Sequence, residues 1–154
     1  MTFKLVPLRD VDLPMAAQFI EESIEWSPRS ASNVVAADVL GNMNSHWRSA
    51  VSGNELFGIM GFTNISWLDK VADVCLGVVP KMRHLGVGTA LAKQQNDYAF
   101  NILGLHRIQM IALADSPSCH IAAAAGLKLE GTLRQIRVKD GKRLDASVYA
   151  LVKE

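Results

Sequence analysis

Residues 73–88 read DVCLGVVPKMRHLGVG: a strand, a stop and a glycine-spaced turn. Val74, Leu76, Val78 and Val79 form the strand-like run, and Pro80 ends it because proline has no N–H to give to a sheet ladder. A short polar turn leads to Arg83, His84, Leu85, Gly86, Val87 and Gly88, after which the periodicity becomes helical. A strand that ends in such a turn and opens a helix is suited to hold an anion. Successive N–H groups point into the turn, and the helix N-terminus adds its partial positive charge. Gly86 and Gly88 are expected to let a phosphate approach the backbone where a Cβ would obstruct it.

The flanks narrow the choice of ligand. A Walker loop ends in Gly-Lys-Ser/Thr, whereas Gly88 is followed by Thr89 and Ala90. A dinucleotide fingerprint needs a third glycine and a later acidic residue, and only two of the glycines are present. Upstream, residues 46–51 and 55–65 alternate as two strands around the Ser52-Gly53-Asn54 turn, and Asp69-Lys70 marks another turn before a strand over 72–79. Residues 3–8 read as a first strand. Leu13, Ala16, Ala17, Ile20 and Ile24 recur at helical spacing over 12–25, with Asp10 and Asp12 as cap candidates and Pro14 in the first turn. A second helix is expected from Ser30 or Ser32 through Leu40.

Downstream of the turn, Val87, Leu91, Tyr98 and Ile102 share a helix face with Ala90 alongside, and Gly104 closes the helix. A strand over 106–112, a short alanine-rich helix over 118–125 stopped by Gly126, and a hairpin of 127–138 with 143–152 about Asp140-Gly141 complete the chain. Strand, helix, strand in succession predicts a right-handed parallel crossover of 72–79 with 106–112. The expected fold is α/β of the mixed-sheet kind. Antiparallel strands come first, and helices lie on both faces. One parallel pair splays at its carboxyl ends to leave a ligand crevice.

The 154 residues fit one domain spanning 1–154, and a formal charge of +1 implies neither nucleic acid nor an anionic membrane as a bulk partner. No apolar run approaches the roughly 18–20 residues that span a bilayer, and the start, Met1-Thr2-Phe3-Lys4, lacks a signal-peptide layout. Cys75 and Cys119 without a framework of pairs read as reduced thiols, which predicts a cytoplasmic protein. Histidines 46, 84, 106 and 120 have no ligand spacing, so no metal site is expected.

Arg-x-x-Gly-x-Gly at 83–88, between strand and helix and in this order of elements, resembles the pyrophosphate loop of the GNAT superfamily of acetyl-CoA-dependent N-acetyltransferases. More narrowly, Gly61-Phe62-Thr63-Asn64-Ile65, the run over 97–107, and Glu130-Gly131-Thr132-Leu133-Arg134 followed by Asp140-Gly141 and Asp145 are similar to the RimJ/RimL-type branch. The resemblance implies acetyl-CoA as co-substrate, a primary amine as acceptor (a protein N-terminus or a small amine), and direct attack in a ternary complex. It also admits a homodimer.

Residue by residue, the resemblance implies that Arg83, His84, Leu85, Gly86, Val87, Gly88 and Thr89 hold the pyrophosphate. Backbone groups of Leu76, Gly77 and Val78 would pair the pantetheine arm, with an N–H near Val78 facing the thioester oxygen. One such donor contributes about 3–4 kcal/mol of transition-state stabilisation. Asp73 stands where relatives often carry a glutamate that takes a proton from the amine, and Asp115 stands where an asparagine is usual and would contact the cofactor. The segment read in relatives as Tyr-Glu-Lys-x-Gly-Phe is here Ala122 to Leu127, so the tyrosine that protonates the departing thiolate is replaced by Ala122. Ser118 is then the candidate proton donor.

Plainer readings stand beside these. Asp73 also reads as a solvated strand residue, Ser118 as a helix cap, and Cys119 as a small apolar filler without a His/Asn partner set. Trp26, His46, Trp47 and Trp67 either rim the acceptor cleft or pack ordinarily. The missing tyrosine motivates a second function, a CoA-binding regulatory or scaffold protein with weak or no turnover.

Overall fold

A computed structural model describes residues 2–23 and 43–154. Seven strands form one sheet: β1 (Lys4–Pro7), β2 (His46–Ser52), β3 (Glu55–Ser66), β4 (Val71–Val78), β5 (Arg107–Leu113), β6 (Lys128–Lys139) and β7 (Lys142–Val152), in the order β1-β2-β3-β4-β5-β7-β6. All neighbours pair antiparallel except β4 with β5, which are parallel, as the strand–helix–strand order predicts. The helices are α1 (Leu13–Ser23), α2 (Val87–Asn101) and α3 (Pro117–Ala124), with 3-10 turns at Asp10–Asp12 and Pro80–Met82. The helix expected over 30–40 and Trp26 lie outside the described residues.

Strand alternation sorts the sheet into two faces. Met60, Phe62, Val74, Leu76, Val78, Ile108 and Met110 pack with Val87, Leu91, Ala92 and Ala99 of α2 and with Ala122 of α3. Ile59 and Val79, one residue out of phase, turn the other way and pack with Ala16, Ala17 and Phe19 of α1. Helices on both faces are therefore observed.

Asp12, expected as a cap candidate, is instead buried, and its carboxylate is taken up sideways. Arg9 donates to it through Nε (2.6 Å) and Nη2 (2.9 Å), and Ser49 Oγ of β2 donates from 2.7 Å. The α2 face also differs from the expected one. Ala90 and Ile102 are exposed, while Gln95 and Asn96 are buried on the inner stripe with Val87, Leu91 and Ala99. Buried amides are tolerated because they are bonded. Gln95 Nε2 donates to the carbonyls of Gly61 (3.0 Å) and Cys75 (2.9 Å), and Asn96 Nδ2 to that of Ala125 (2.9 Å).

The turns follow their residues. Gly104 and Gly126 take positive φ after α2 and α3, and Asp140 (φ 51°) with Gly141 (φ 74°) makes the two-residue β6–β7 turn. No helix among the described residues is long and apolar enough to cross a membrane.

Candidate active site

The parallel pairing of β4 with β5 covers only Val71–Asp73 against Arg107–Gln109. Beyond it β4 continues to Val78 paired with β3 alone, and β5 to Leu113 paired with β7 alone, so a cleft opens after Asp73. Its β4 wall carries unpaired backbone. The Val79 N–H donates to the Phe57 carbonyl (3.0 Å), which makes that pair a bonded rung. The uninterrupted register from Gly58↔Val78 to Thr63↔Asp73 then makes Gly77 and Cys75 bonded rungs as well, and points the N–H and C=O of Val78 and Leu76 into the cleft. The Arg83 Nε–H, reaching back to the Val78 carbonyl at 3.0 Å, marks the same open side.

Leu76 and Val78 thus stand where an extended chain could add as a strand, while Gly77 bonds toward β3. The absence of a side chain at Gly77 has another cause: a Cβ there would come within 2.3 Å of the Phe19 ring of α1.

At the mouth, residues 83–86 turn sharply into α2. His84 (φ 62°) and Gly86 (φ 83°) are both left-handed, and Gly86 occupies the N-cap without a side-chain cap bond. The first N–H groups of a 15-residue helix, through Val87, Gly88 and Thr89, are left for a ligand. Arg83, His84 and Leu85 are exposed around them. The two glycines have different surroundings. A Cβ on Gly86 would meet nothing within 4 Å, whereas one on Gly88 would lie 2.8 Å from Ile121 Cδ1 of α3. Gly86 answers to its backbone angle and Gly88 to helix packing.

Asp73, on the last paired rung, faces the α1 side of the sheet, and amides hold both of its oxygens. Asn64 Nδ2 donates to Oδ2 (2.9 Å) and Gln109 Nε2 to Oδ1 (2.7 Å). On the same face Ala16, Phe19, Trp47, Ile59, Cys75 and Gly77, with the backbone of Leu76 between the last two, line a shallow depression. Phe19 lies over Gly77 and Trp47 over Gly61, where a Cβ would be 2.5 Å from the indole.

A model of the acetyltransferase (GNAT) family matches residues 13–126. The chain belongs to that family. The N-acetyltransferase YoaA of Bacillus subtilis (strain 168), itself uncharacterized, is 28% identical over 100 residues, 64% of this chain. The chain spans 56% of that relative's length. Among solved structures, a spermidine N-acetyltransferase of Vibrio cholerae in complex with CoA and spermine shares 18% identity at a TM-score of 0.85, covering 97% of this chain and 95% of that one. A chimera of the same enzyme and hSSAT shares 19% at 0.86, covering 99% and 96%. At these identities the likeness is one of fold. The seven-stranded mixed sheet with a single parallel pair is the GNAT architecture.

Within this GNAT fold the remaining candidates separate. Ser118 is exposed at the second position of α3, and the cap position belongs to Ser116, so Ser118 is not the cap. Ala122 is fully buried in the core. Asp115, exposed and left-handed (φ 60°), lies between β5 and α3. Cys119 is buried, its thiol donating to the Leu113 carbonyl (3.2 Å), and it forms no disulfide with Cys75. Of the expected cleft aromatics, Trp47 lines the depression. His46 faces α2 instead, its Nε2 3.0 Å from the Tyr98 hydroxyl, and Trp67 lies in the β3–β4 turn, donating to the Met43 carbonyl (3.3 Å). Asn64, Gln109 and Phe19 join the site without any local sequence signal. Strand register and α1 packing bring them there.

Proposed function

We propose that this chain transfers the acetyl group of acetyl-CoA to a primary amine by direct attack in a ternary complex. The observation that carries the reading is the open β4 edge at Leu76 and Val78 running into the uncapped N-terminus of α2. A linear amide-bearing arm suits the first, and a pyrophosphate the second. Acetyl-CoA supplies an activated thioester. The chain's residues orient it: the loop from Arg83 to Thr89 holds its phosphate end, Asp115 accepts from a cofactor amide, and the backbone near Val78 offers the N–H toward its carbonyl oxygen.

Asp73, at the apex of the cleft and open to the α1 face, accepts the amine proton directly or through water. Ser118, exposed beside the mouth, returns a proton to the thiolate; Ser118→Ala then lowers turnover while CoA affinity holds, and unchanged turnover would assign that step to water. The apolar depression on the α1 side is the acceptor entrance. Its described lining carries no charge, which suits an amine on an apolar group or a peptide N-terminus better than a polyamine. Within the family we place the chain in the RimJ/RimL-type branch on its 61–65, 97–107 and 130–134 sequences, as a cytoplasmic enzyme that forms homodimers.

The second reading, a CoA-binding scaffold, rested on Ala122. That alanine is fully buried, and the proton for the leaving thiolate has to come from Ser118 or water. The test is thiol release from acetyl-CoA with a panel of peptides bearing free N-termini, aryl and alkyl amines, spermidine and spermine. Saturable release with at least one amine is expected. CoA binding with no release from any amine would leave the scaffold reading in its place. With the best amine, Asp73→Asn keeps shape and removes charge. It should lower kcat/KM about 10–100-fold without loss of CoA affinity, and the deficit should shrink as pH rises.

A further inference from the structure

We propose that Gln109 is a positioning residue for Asp73, and that the Arg107–Glu130 ion pair decides which end of its amide faces the carboxylate. The proposal rests on the reading of Asp73 given above. Asp73, Gln109, Ala150 and Lys128 stand in one row across β4, β5, β7 and β6, with Arg107 and Val152 in the row two residues away on the same face. Arg107 grips Glu130 with two bonds, Nη1 to Oε1 at 2.8 Å and Nη2 to Oε2 at 2.6 Å. Its Nη2 also donates to Gln109 Oε1 at 3.0 Å.

A guanidinium only donates, so the amide oxygen must face Arg107 and the amide nitrogen must face Asp73, 2.7 Å from Oδ1. The reverse orientation would set N–H against N–H at one end and oxygen against oxygen at the other. Donor sense therefore runs one way, from the ion pair between β5 and β6 to the rung where β4 and β5 part. Asn64 Nδ2 closes the other side of the carboxylate. Held by two amides, Asp73 keeps one orientation and retains lone pairs for a proton from the cleft.

The charged groups that face this site are Arg107 and Glu130 through Gln109, and Lys128 in its row. From β3 come Asn64 and Thr63, both neutral, and the described side chains of α1 over 13–19 are uncharged.

The experiment compares kcat and KM for Gln109→Met, Arg107→Met, Arg107→Lys, Asp73→Asn and the double variant Asp73→Asn/Gln109→Met, using the best amine of the panel above. Gln109→Met should lower kcat about tenfold with KM for acetyl-CoA and the thermal midpoint nearly unchanged, a small share of general-base catalysis. Arg107→Met should act in the same direction, and Arg107→Lys should recover part of the loss because an ammonium still donates to the amide oxygen. The double variant should be no slower than Asp73→Asn alone, since Gln109 works only through the carboxylate.

Gln109→Glu keeps the shape, serves if the methionine variant fails to fold, and sets carboxylate against carboxylate. The acid side of its kcat/KM profile should move to higher pH. Wild-type kcat in a folded Gln109→Met, or additive losses in the double variant, would overturn the proposal while leaving Asp73 in its role. Wild-type rates in Asp73→Asn would remove the base reading, and this proposal with it.

Discussion

Gly86 and Gly88 show how much a single residue's reason depends on its surroundings. With φ at 83° and open space around a would-be Cβ, Gly86 is required by its backbone, where a left-handed residue costs about 1–2 kcal/mol and a β-branched one more. Gly86→Val should therefore rearrange the anion loop and weaken CoA at least tenfold, about 1.4 kcal/mol, by calorimetry. Unchanged affinity in a folded variant would take the loop out of the site. A second residue-scale outcome concerns His46. Burial, aided by the charge of Arg48, pushes its pKa below the ordinary value. Burial favours the neutral ring, so its contribution is full above the unfolded value of about 6.5 and is lost as pH falls through the folded value. Urea midpoints should drop between pH 7.5 and 5.5. His46→Phe should flatten that drop at a cost of about 1 kcal/mol for the lost bond. An equal drop in the variant would place the sensitivity elsewhere.

Among the elements, α2 carries the anion loop and is tied to the cleft wall by one side chain. Gln95 bonds the carbonyls of Gly61 and Cys75, which face each other across β3 and β4. Helix and cleft wall are therefore joined by hydrogen bonds as well as by packing. Gln95→Leu matches the volume and removes both donors, so it should destabilise the chain by about 1–3 kcal/mol in denaturant unfolding. A loss near zero would mean that the two carbonyls are satisfied without it. The β6–β7 hairpin holds its register by a similar device. β6 bulges between Leu133 and Arg137, and the Gln135 N–H freed there donates to Asp145 Oδ1 at 2.8 Å.

Over the whole molecule, the sheet changes from antiparallel to parallel once, and the cleft opens at that place. The α2 N-terminus lies at the carboxyl end of β4 and the α3 N-terminus at that of β5, so both positive helix ends face the mouth. A ligand that fills the cleft would join two halves of the sheet that nothing among the described residues pairs beyond Asp73. CoA at about 100 times its Kd should add about 2.7 kcal/mol and raise Tm by about 5–10 °C in a domain of this size. Inorganic phosphate at equal concentration should not reproduce the rise. A CoA effect no larger than that of phosphate would limit binding to the loop.

The sequence alone determined the order of elements, the parallel crossover, the hairpin turns and the loop at 83–88. Each is written locally, in periods of two or about 3.6 residues and in glycine and proline at points of special φ. Asp73 was a candidate by resemblance, standing where relatives often carry a glutamate. Its partners were not. Asn64 lies nine residues before it and Gln109 thirty-six after, and they meet only because β3, β4 and β5 settle in one register. Gly88 answers to Ile121, Gly77 to Phe19, and the buried amide of Gln95 to two carbonyls on neighbouring strands. Those contacts depend on how strands and helices stack, and stacking follows from the burial of the whole core, which no window of the chain contains.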